Sequence, residues 1–457
     1  MILPCTLSLL LSGAYNGEKE VKLMQIHVVR PGETVSAIAA QYGAAPDIIT
    51  RYNGLKPPYP LAVGQSLLIL QPAVTTTAGP GDTLFSLARR FQVSVLQLLR
   101  LNPQLMGSAR LRQGETVVIS LQDQGTRPVE VSGYAYANVR EQVLRSILPY
   151  ATFLVPFSYG VDAGGGLVRP RDDRLLALSR QYGALPLLHL STITEEGSFS
   201  TQRASDLLGS YQRQQELADA VAAQMLRLGY EGLDVDFEFV GRENADAYAA
   251  FVGLLRDRVN ALGFELITAL APKTSPGQPG VLYEGHDYAA LAANSDALLL
   301  MTYEWGYTYG PAMAVAPLPS VRRVLDYAVT EMPPEKIFLG FPNYGYDWIL
   351  PYISGQSRAR SIGNEEAVDI AIRYGAEIRY DETAQSPYFY YTDEENRVHE
   401  VWFEDARSCY AKFSLIPSYG FRGVGYWNFM RPFTASFSLL TQMFDLVKRP
   451  TAPVPQP

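Results

Sequence analysis

The chain has 457 residues, 47% of them hydrophobic, which suits one large domain with small modules and excludes a chain disordered throughout. With 38 basic against 46 acidic residues, a formal net charge of -8 and no Lys/Arg run, the surface would repel phosphate backbones, so nucleic acid is not an expected partner. Cys5 and Cys409 are the only cysteines and lie at opposite ends; the four histidines, His27, His189, His286 and His399, lack zinc-site spacing, so neither a disulfide scaffold nor a metal site is expected. His189, inside LLHL, reads as a satisfied interior residue rather than a metal ligand.

Residues 1–25 open with MILPCTLSLLLSGA, an apolar run followed by small residues that lacks the positive n-region of a secretory signal. They read as a leader or as a mis-assigned start, with Met24 opening the first module instead. No other stretch approaches the roughly 20 apolar residues of a membrane span.

An internal repeat follows. RPGETVSAIAAQYG at 30–43 returns as GPGDTLFSLARRFQ at 79–92. The same spacing separates Gly32 from Asn53 and Gly81 from Asn102, and each asparagine precedes a glycine-polar pair and an aliphatic run, Leu67-Leu68-Ile69 or Val117-Val118-Ile119. Each copy reads strand, helix, helix, strand, and the Pro-Gly turn is followed by an acid and a threonine, Glu33 and Thr34 or Asp82 and Thr83, either of which can cap the next helix. The pattern resembles the LysM module over residues 26–70 and 75–120. That resemblance implies binding of N-acetylglucosamine-containing glycans through the loop after each first strand, around Gly32, Glu33, Thr34 and Gly81, Asp82, Thr83, and the loop after each second helix. The alternative is that these residues only build the turn.

After a polar linker at 121–130 the chain alternates apolar strands with amphipathic helices, the sign of a parallel α/β fold. Strand-like runs occur at 132–137, 152–159, 185–191, 232–238, 265–271, 296–303, 336–342 and 423–429. Eight strands with helical crossovers predict a (β/α)8 TIM barrel over 131–449. The long stretch after the seventh strand predicts a small α+β insertion at about 352–400, and TAPVPQP reads as a flexible tail.

In the fourth strand, GLDVDFE, alternation sends Asp234, Asp236 and Glu238 into the barrel and Leu233, Val235 and Phe237 outward. Stacked carboxylates are costly to bury without shared protons, so a purely structural role is hard to motivate. Glu238 comes last, at the carboxyl end where barrel active sites lie, and the charges behind it should hold its proton: a general acid. Asp236 leaves the same strand only about 7 Å away and cannot reach the opposite face of a sugar as nucleophile. A substrate with a 2-acetamido group supplies its own nucleophile, with Asp236 orienting the amide.

EGLDVDFE resembles the DGxDxDxE signature of glycoside hydrolase family 18, with Glu231 in place of the first aspartate. The resemblance implies that Glu238 is the acid/base, that Asp236 moves its proton between Asp234 and the acetamido group, and that Asp234 tunes Asp236. MTYEW at 301–305 is similar to the family's MxYD. It implies that Tyr303 donates a hydrogen bond to the oxazolinium intermediate and that Met301 lines the pocket, with Glu304 in place of the usual aspartate. Trp427 in GYWNF takes the place of the indole floor under the sugar. For Tyr303 and Trp427 the competing reading is barrel packing. GFPNYGYDW at 340–348 and VWFEDARS at 401–408 also look like family segments.

Two LysM modules ahead of such a barrel resemble the spore cortex-lytic N-acetylglucosaminidases of spore-forming bacteria. The resemblance implies a retaining glycosidase acting after N-acetylglucosamine in spore cortex or cell-wall peptidoglycan, at the spore coat or cortex, with secretion as the alternative. A chitinase would use the same residues, and a non-catalytic glycan-binding spore-coat protein is the reading from another class. No cofactor and no metal are expected; the expected partners are peptidoglycan or chitin chains, bound by a monomer. The chain has no G-x-S-x-G, phosphate-loop or H-E-x-x-H motif to carry other chemistries.

Overall fold

Each repeat folds as a strand, two helices and a closing antiparallel strand in a computed structural model that describes residues 25–106, 111–194 and 198–450. The leader before Gln25 and the TAPVPQP tail lie outside the described residues. In the first module strand Gln25–Val28 pairs with Ser66–Ile69 around helices Val35–Tyr42 and Pro46–Tyr52. In the second, Pro72–Thr77 pairs with Thr116–Leu121 around Leu84–Phe91 and Val95–Leu101. The repeated asparagine now has a physical reason. Asn53 donates to the Ile49 and Leu68 carbonyls, both at 2.8 Å, and accepts from the Leu68 amide at 2.7 Å, tying the second helix to the closing strand. Asn102 repeats the arrangement with Leu98 and Val118. Such a side chain satisfies backbone groups that a small module cannot pair otherwise.

The barrel closes from eight parallel strands in chain order: Pro128–Tyr136, Phe153–Phe157, a third made of Leu185–Pro186 and Leu188–Ser191, then Gly232–Asp236, Glu265–Leu270, Ala297–Leu300, Ile337–Pro342 and Gly423–Trp427. The expected runs at the fourth, sixth and eighth strands extend further than the paired residues. Glu238, Tyr303 and Phe429 lie past the last ladder positions, where the backbone turns out into the loops of the carboxyl end. The opposite end is plugged by charge. Arg422 reaches Glu130 at 2.7 Å and Glu265 at 2.8 Å, and Arg449 reaches the same two at 2.5 and 2.9 Å. The two guanidiniums lie over Phe338 and Phe153, so each cation has two carboxylates and an aromatic face as partners.

Between the seventh and eighth strands a five-stranded antiparallel sheet, Gly345–Leu350 to Val398–Trp402 with Arg360–Ile362, Arg379–Asp381 and Ser386–Thr392, packs on helix Asn364–Tyr374. The first module is seated on this lobe. Ala62 joins the lobe's apolar cluster; the Ile378 amide donates to the Val63 carbonyl at 2.9 Å, and Ala406 N to Ser66 Oγ at 3.2 Å. Gly64, at φ 81°, lies so close to the Ile378 carbonyl that a Cβ would overlap it. The two modules touch through Tyr52, whose hydroxyl donates to the Leu101 carbonyl at 2.9 Å.

Candidate functional site

The barrel interior is polar where parallel register puts third- and fourth-strand residues side by side. His189 pairs with Asp234 and Ser191 with Asp236, so these side chains enter the barrel together. Leu233, Val235 and Phe237 point outward; Phe237 stacks on Tyr248 of helix Ala245–Asn260 at 5.5 Å between centroids. The carbonyl of Phe237 accepts from His286 Nε2 at 3.1 Å, while His286 Nδ1 accepts from the Ala271 amide at 3.1 Å. That network assigns the proton to Nε2, and burial holds the ring's pKa down to about 4. The strand end from which Glu238 departs is thereby anchored.

From the inside outward the carboxylates form a graded line. Asp234, 1% exposed, accepts from the Tyr134 hydroxyl at 3.2 Å and from His189 Nδ1 at 2.6 Å. Asp236, 5% exposed, has its Oδ2 3.9 Å from His189 Nε2; among the described residues neither that Nε2 nor Asp236 Oδ1 has a hydrogen-bond partner. Burial pushes the Asp236 carboxyl up to about 6, with His189 opposing and Asp234 adding to the rise. Glu238 is partly buried at the cleft. Burial first, then the charges of Asp236 and Glu304, push it up to about 8, so it carries a proton at neutral pH.

Glu304, whose charge reaches Glu238, lines a cavity of about 380 Å³ together with Trp427, Tyr136, Tyr344, Tyr346 and Arg431 among others. The Trp427 indole is ringed by Tyr134 at 5.3 Å, Phe157 at 5.1 Å and Tyr136 at 6.1 Å. This fixes its plane beside the cavity. Tyr303 is buried, and its hydroxyl feels the charges of Asp236, Glu238 and Glu304; burial chiefly raises its pKa, so it stays a donor. Met301 packs with Trp427 against the inner aromatic cluster. Glu304 sits at φ 68°, an uncommon value for a side chain of this kind, and is held there by the hydroxyls of Tyr344 and Tyr346.

The structure thus brings Asp234, Asp236, Glu238, Tyr303, Met301, Glu304 and Trp427 to one end of the barrel. It does not bring the module residues there. Gly32 and Gly81 make left-handed turns, and Thr34 and Thr83 cap their helices by accepting from Ala37 N at 3.2 Å and Ser86 N at 3.0 Å. Glu33 accepts from His27 and from the Arg30 amide, each at 2.8 Å. Sequence reasoning missed Tyr134, Tyr344, Tyr346 and Arg431 and took His189 for an ordinary interior residue. One signal was available for His189: its strand neighbours the acidic one, so an inward histidine there meets an inward acid.

Comparison with known proteins gives the family and the modules. The profile of glycosyl hydrolases family 18 matches residues 195–431, and that of the LysM domain matches 27–70 and 77–120. The chain is similar to the cortical fragment-lytic enzyme of Bacillus subtilis (strain 168), 39% identical over 93% of this chain and 99% of that protein. Among solved structures it resembles the spore cortex-lytic enzyme SleL of Bacillus megaterium QM B1551, with a TM-score of 0.79 at 34% identity over 93% of this chain and 99% of that one. A chitinase from Chromobacterium violaceum ATCC 12472 shares the fold, at a TM-score of 0.64 and 24% identity over 69% of this chain and 99% of that one.

Proposed function

Since the chain belongs to family 18 of the glycosyl hydrolases, and is a glycosidase on that ground, we propose that it hydrolyses β-1,4 bonds after N-acetylglucosamine in peptidoglycan with retention of configuration. The observation that carries this reading is the graded line Asp234, Asp236, Glu238, which ends on a carboxyl group that holds its proton at neutral pH beside an aromatic-walled cavity.

In the first step Glu238 gives its proton to the glycosidic oxygen as the bond to the anomeric carbon breaks. The substrate's acetamido carbonyl oxygen attacks that carbon from the other face, which relieves the need for a second carboxylate across the cleft. Asp236 accepts from the acetamido N–H, and Tyr303, kept protonated, donates to the developing ring. The first product leaves, Glu238 takes a proton from water, and the water oxygen opens the cyclic intermediate from the original side. Trp427 offers its face to the sugar being cleaved. Among the described residues no group of His, Cys, Asp and Glu is arranged to hold a metal ion.

Peptidoglycan is favoured over chitin by the full-length likeness, modules included, to enzymes named for cortex and cortical fragments. The same likeness makes the spore cortex or its envelope the proposed place of action. Among the described residues no helix is long and apolar enough to cross a membrane. The modules are proposed to hold glycan near Gly32, Thr34, Gly81 and Thr83.

Mass spectrometry of products from spore cortex, vegetative peptidoglycan and chitin oligomers tests the reading, with the Glu238→Gln variant as control. Muropeptides ending in reducing N-acetylglucosamine, absent with the variant, support it. Chitobiose as the main product would move the assignment to a chitinase, and glycan binding without any product would leave a lectin.

A further inference from the structure

The innermost pair of the carboxylate line has a partner that neither the glycosidase reading nor the family match assigns. We infer that His189 is a positioning residue for that line: by donating from Nδ1 to Asp234 it gives the inner carboxylate a partner of its own, so that Asp236 is not drawn inward and is left to turn toward the cleft. The inference rests on the glycosidase reading for its catalytic meaning.

The geometry carries it in three steps. Two carboxylates in adjacent inward positions of one strand need a proton between them unless other donors intervene. Here two do intervene at Asp234: the Tyr134 hydroxyl at 3.2 Å on Oδ1 and His189 Nδ1 at 2.6 Å on Oδ2. Asp234 is then satisfied without Asp236. Second, Asp236 Oδ1 is buried with no partner among the described residues, and Oδ2 is 3.9 Å from His189 Nε2, beyond hydrogen-bonding distance. Among the described residues no hydrogen bond holds Asp236 inward, which leaves it able to turn to an acetamido N–H. Third, the imidazole itself cannot turn. Phe157 stacks on it at 4.8 Å and Tyr134 meets it edge-on at 5.4 Å, and the ring is fully buried.

The titratable groups facing His189 are Asp234 and Asp236 from the fourth strand and Tyr134 from the first, and Phe157 closes the second-strand side without charge. Glu238 and Tyr303 come next beyond Asp236, and Tyr248 feels both aspartates from the helix side.

The test compares the full-length parent with His189→Leu, which removes the donor, and His189→Asn, whose amide stands near the place of Nδ1. Turnover and KM are measured across pH on cortex peptidoglycan. The 13C carboxyl titration of Asp236 is followed in each protein, assigned by Asp236→Asn. The expected result is a fall in kcat of about 100-fold in H189L with KM within about twofold, recovery of about tenfold of that loss in H189N, and an Asp236 titration midpoint moved by about half a pH unit or more in H189L. Parent-like kcat in H189L, or equal losses in the two variants, would overturn the inference, because packing alone would then account for the ring. If H189L does not fold, His189→Gln replaces it as a variant whose amide stands near Nε2 instead. If the parent releases no product from any polymer, the glycosidase reading falls, and the Asp236 titration alone decides: an unmoved midpoint refutes the positioning role of His189.

Discussion

His286 donates from Nε2 to the carbonyl of Phe237 at 3.1 Å, and Phe237 is the residue immediately before Glu238. A buried histidine on another loop therefore sets where the acid leaves the strand. Its ring is held neutral by burial, at about 4 against an ordinary 6.5. A folded-state value below the unfolded one means that stability is fully present above about pH 6.5 and declines as pH falls toward 4, since the unfolded chain takes up a proton that the folded one refuses. His286→Phe removes both the anchor and the titration. Urea unfolding should show a loss of about 1–3 kcal/mol at pH 7 and a smaller loss at pH 5, and kcat should fall about tenfold as Glu238 loses its fixed position.

Glu238→Gln should lower kcat by at least about 1000-fold while leaving binding to insoluble peptidoglycan intact, measured by turnover and by co-sedimentation.

The same variant separates stability from activity. The Glu238 carboxyl is raised in the folded state from 4.5 to about 8. Its contribution is complete below about pH 4.5 and is lost as pH rises through 8, where the folded protein must ionise a partly buried acid beside Asp236. E238Q should therefore show a higher apparent Tm than the parent, by about 2–4 °C at pH 9 and by less at pH 6, in calorimetric scans.

For the parent, kcat/KM should fall on the alkaline side with a midpoint near 8, as the acid is lost from the free enzyme. Because Asp236 and Glu238 influence one another, the profile reports the pair, and Asp236→Asn should displace that limb as well as lower the maximum. A full pH-rate series on both proteins checks this.

Arg422→Met should destabilise the barrel by about 3–5 kcal/mol, because Glu130 and Glu265 would share only Arg449. The activity of the molecules that remain folded should be unaffected, as these residues lie at the closed end. Denaturant titration beside active-site-normalised turnover separates the two effects.

Much of this architecture is legible in the residues. The repeat around Asn53 and Asn102, the eight apolar runs and the alternation in GLDVDFE each follow from local periodicity, which a single chain displays directly. The expected fourth strand runs longer than the paired one, because side-chain alternation continues past the last ladder bond into Phe237 and Glu238. What stayed hidden depends on register between strands. That His189 pairs with Asp234, that Tyr134 approaches from the first strand, and that Tyr344 and Tyr346 clasp Glu304 are facts of closure, with partners up to 100 residues apart in the chain. Glu304's left-handed backbone was equally invisible, since nothing in MTYEW departs from ordinary composition.

The seating of Gly64 against Ile378 makes the first module part of the same solid body as the lobe beside the cleft. A hook on a tether lets its load wander through every length the tether allows; calipers do not. Glycan gripped at the first module would be offered to the cleft at one separation and one angle. The spacing between grip and cut would then be a property of the folded chain, and polymer too short to bridge it would be handled by the cleft alone.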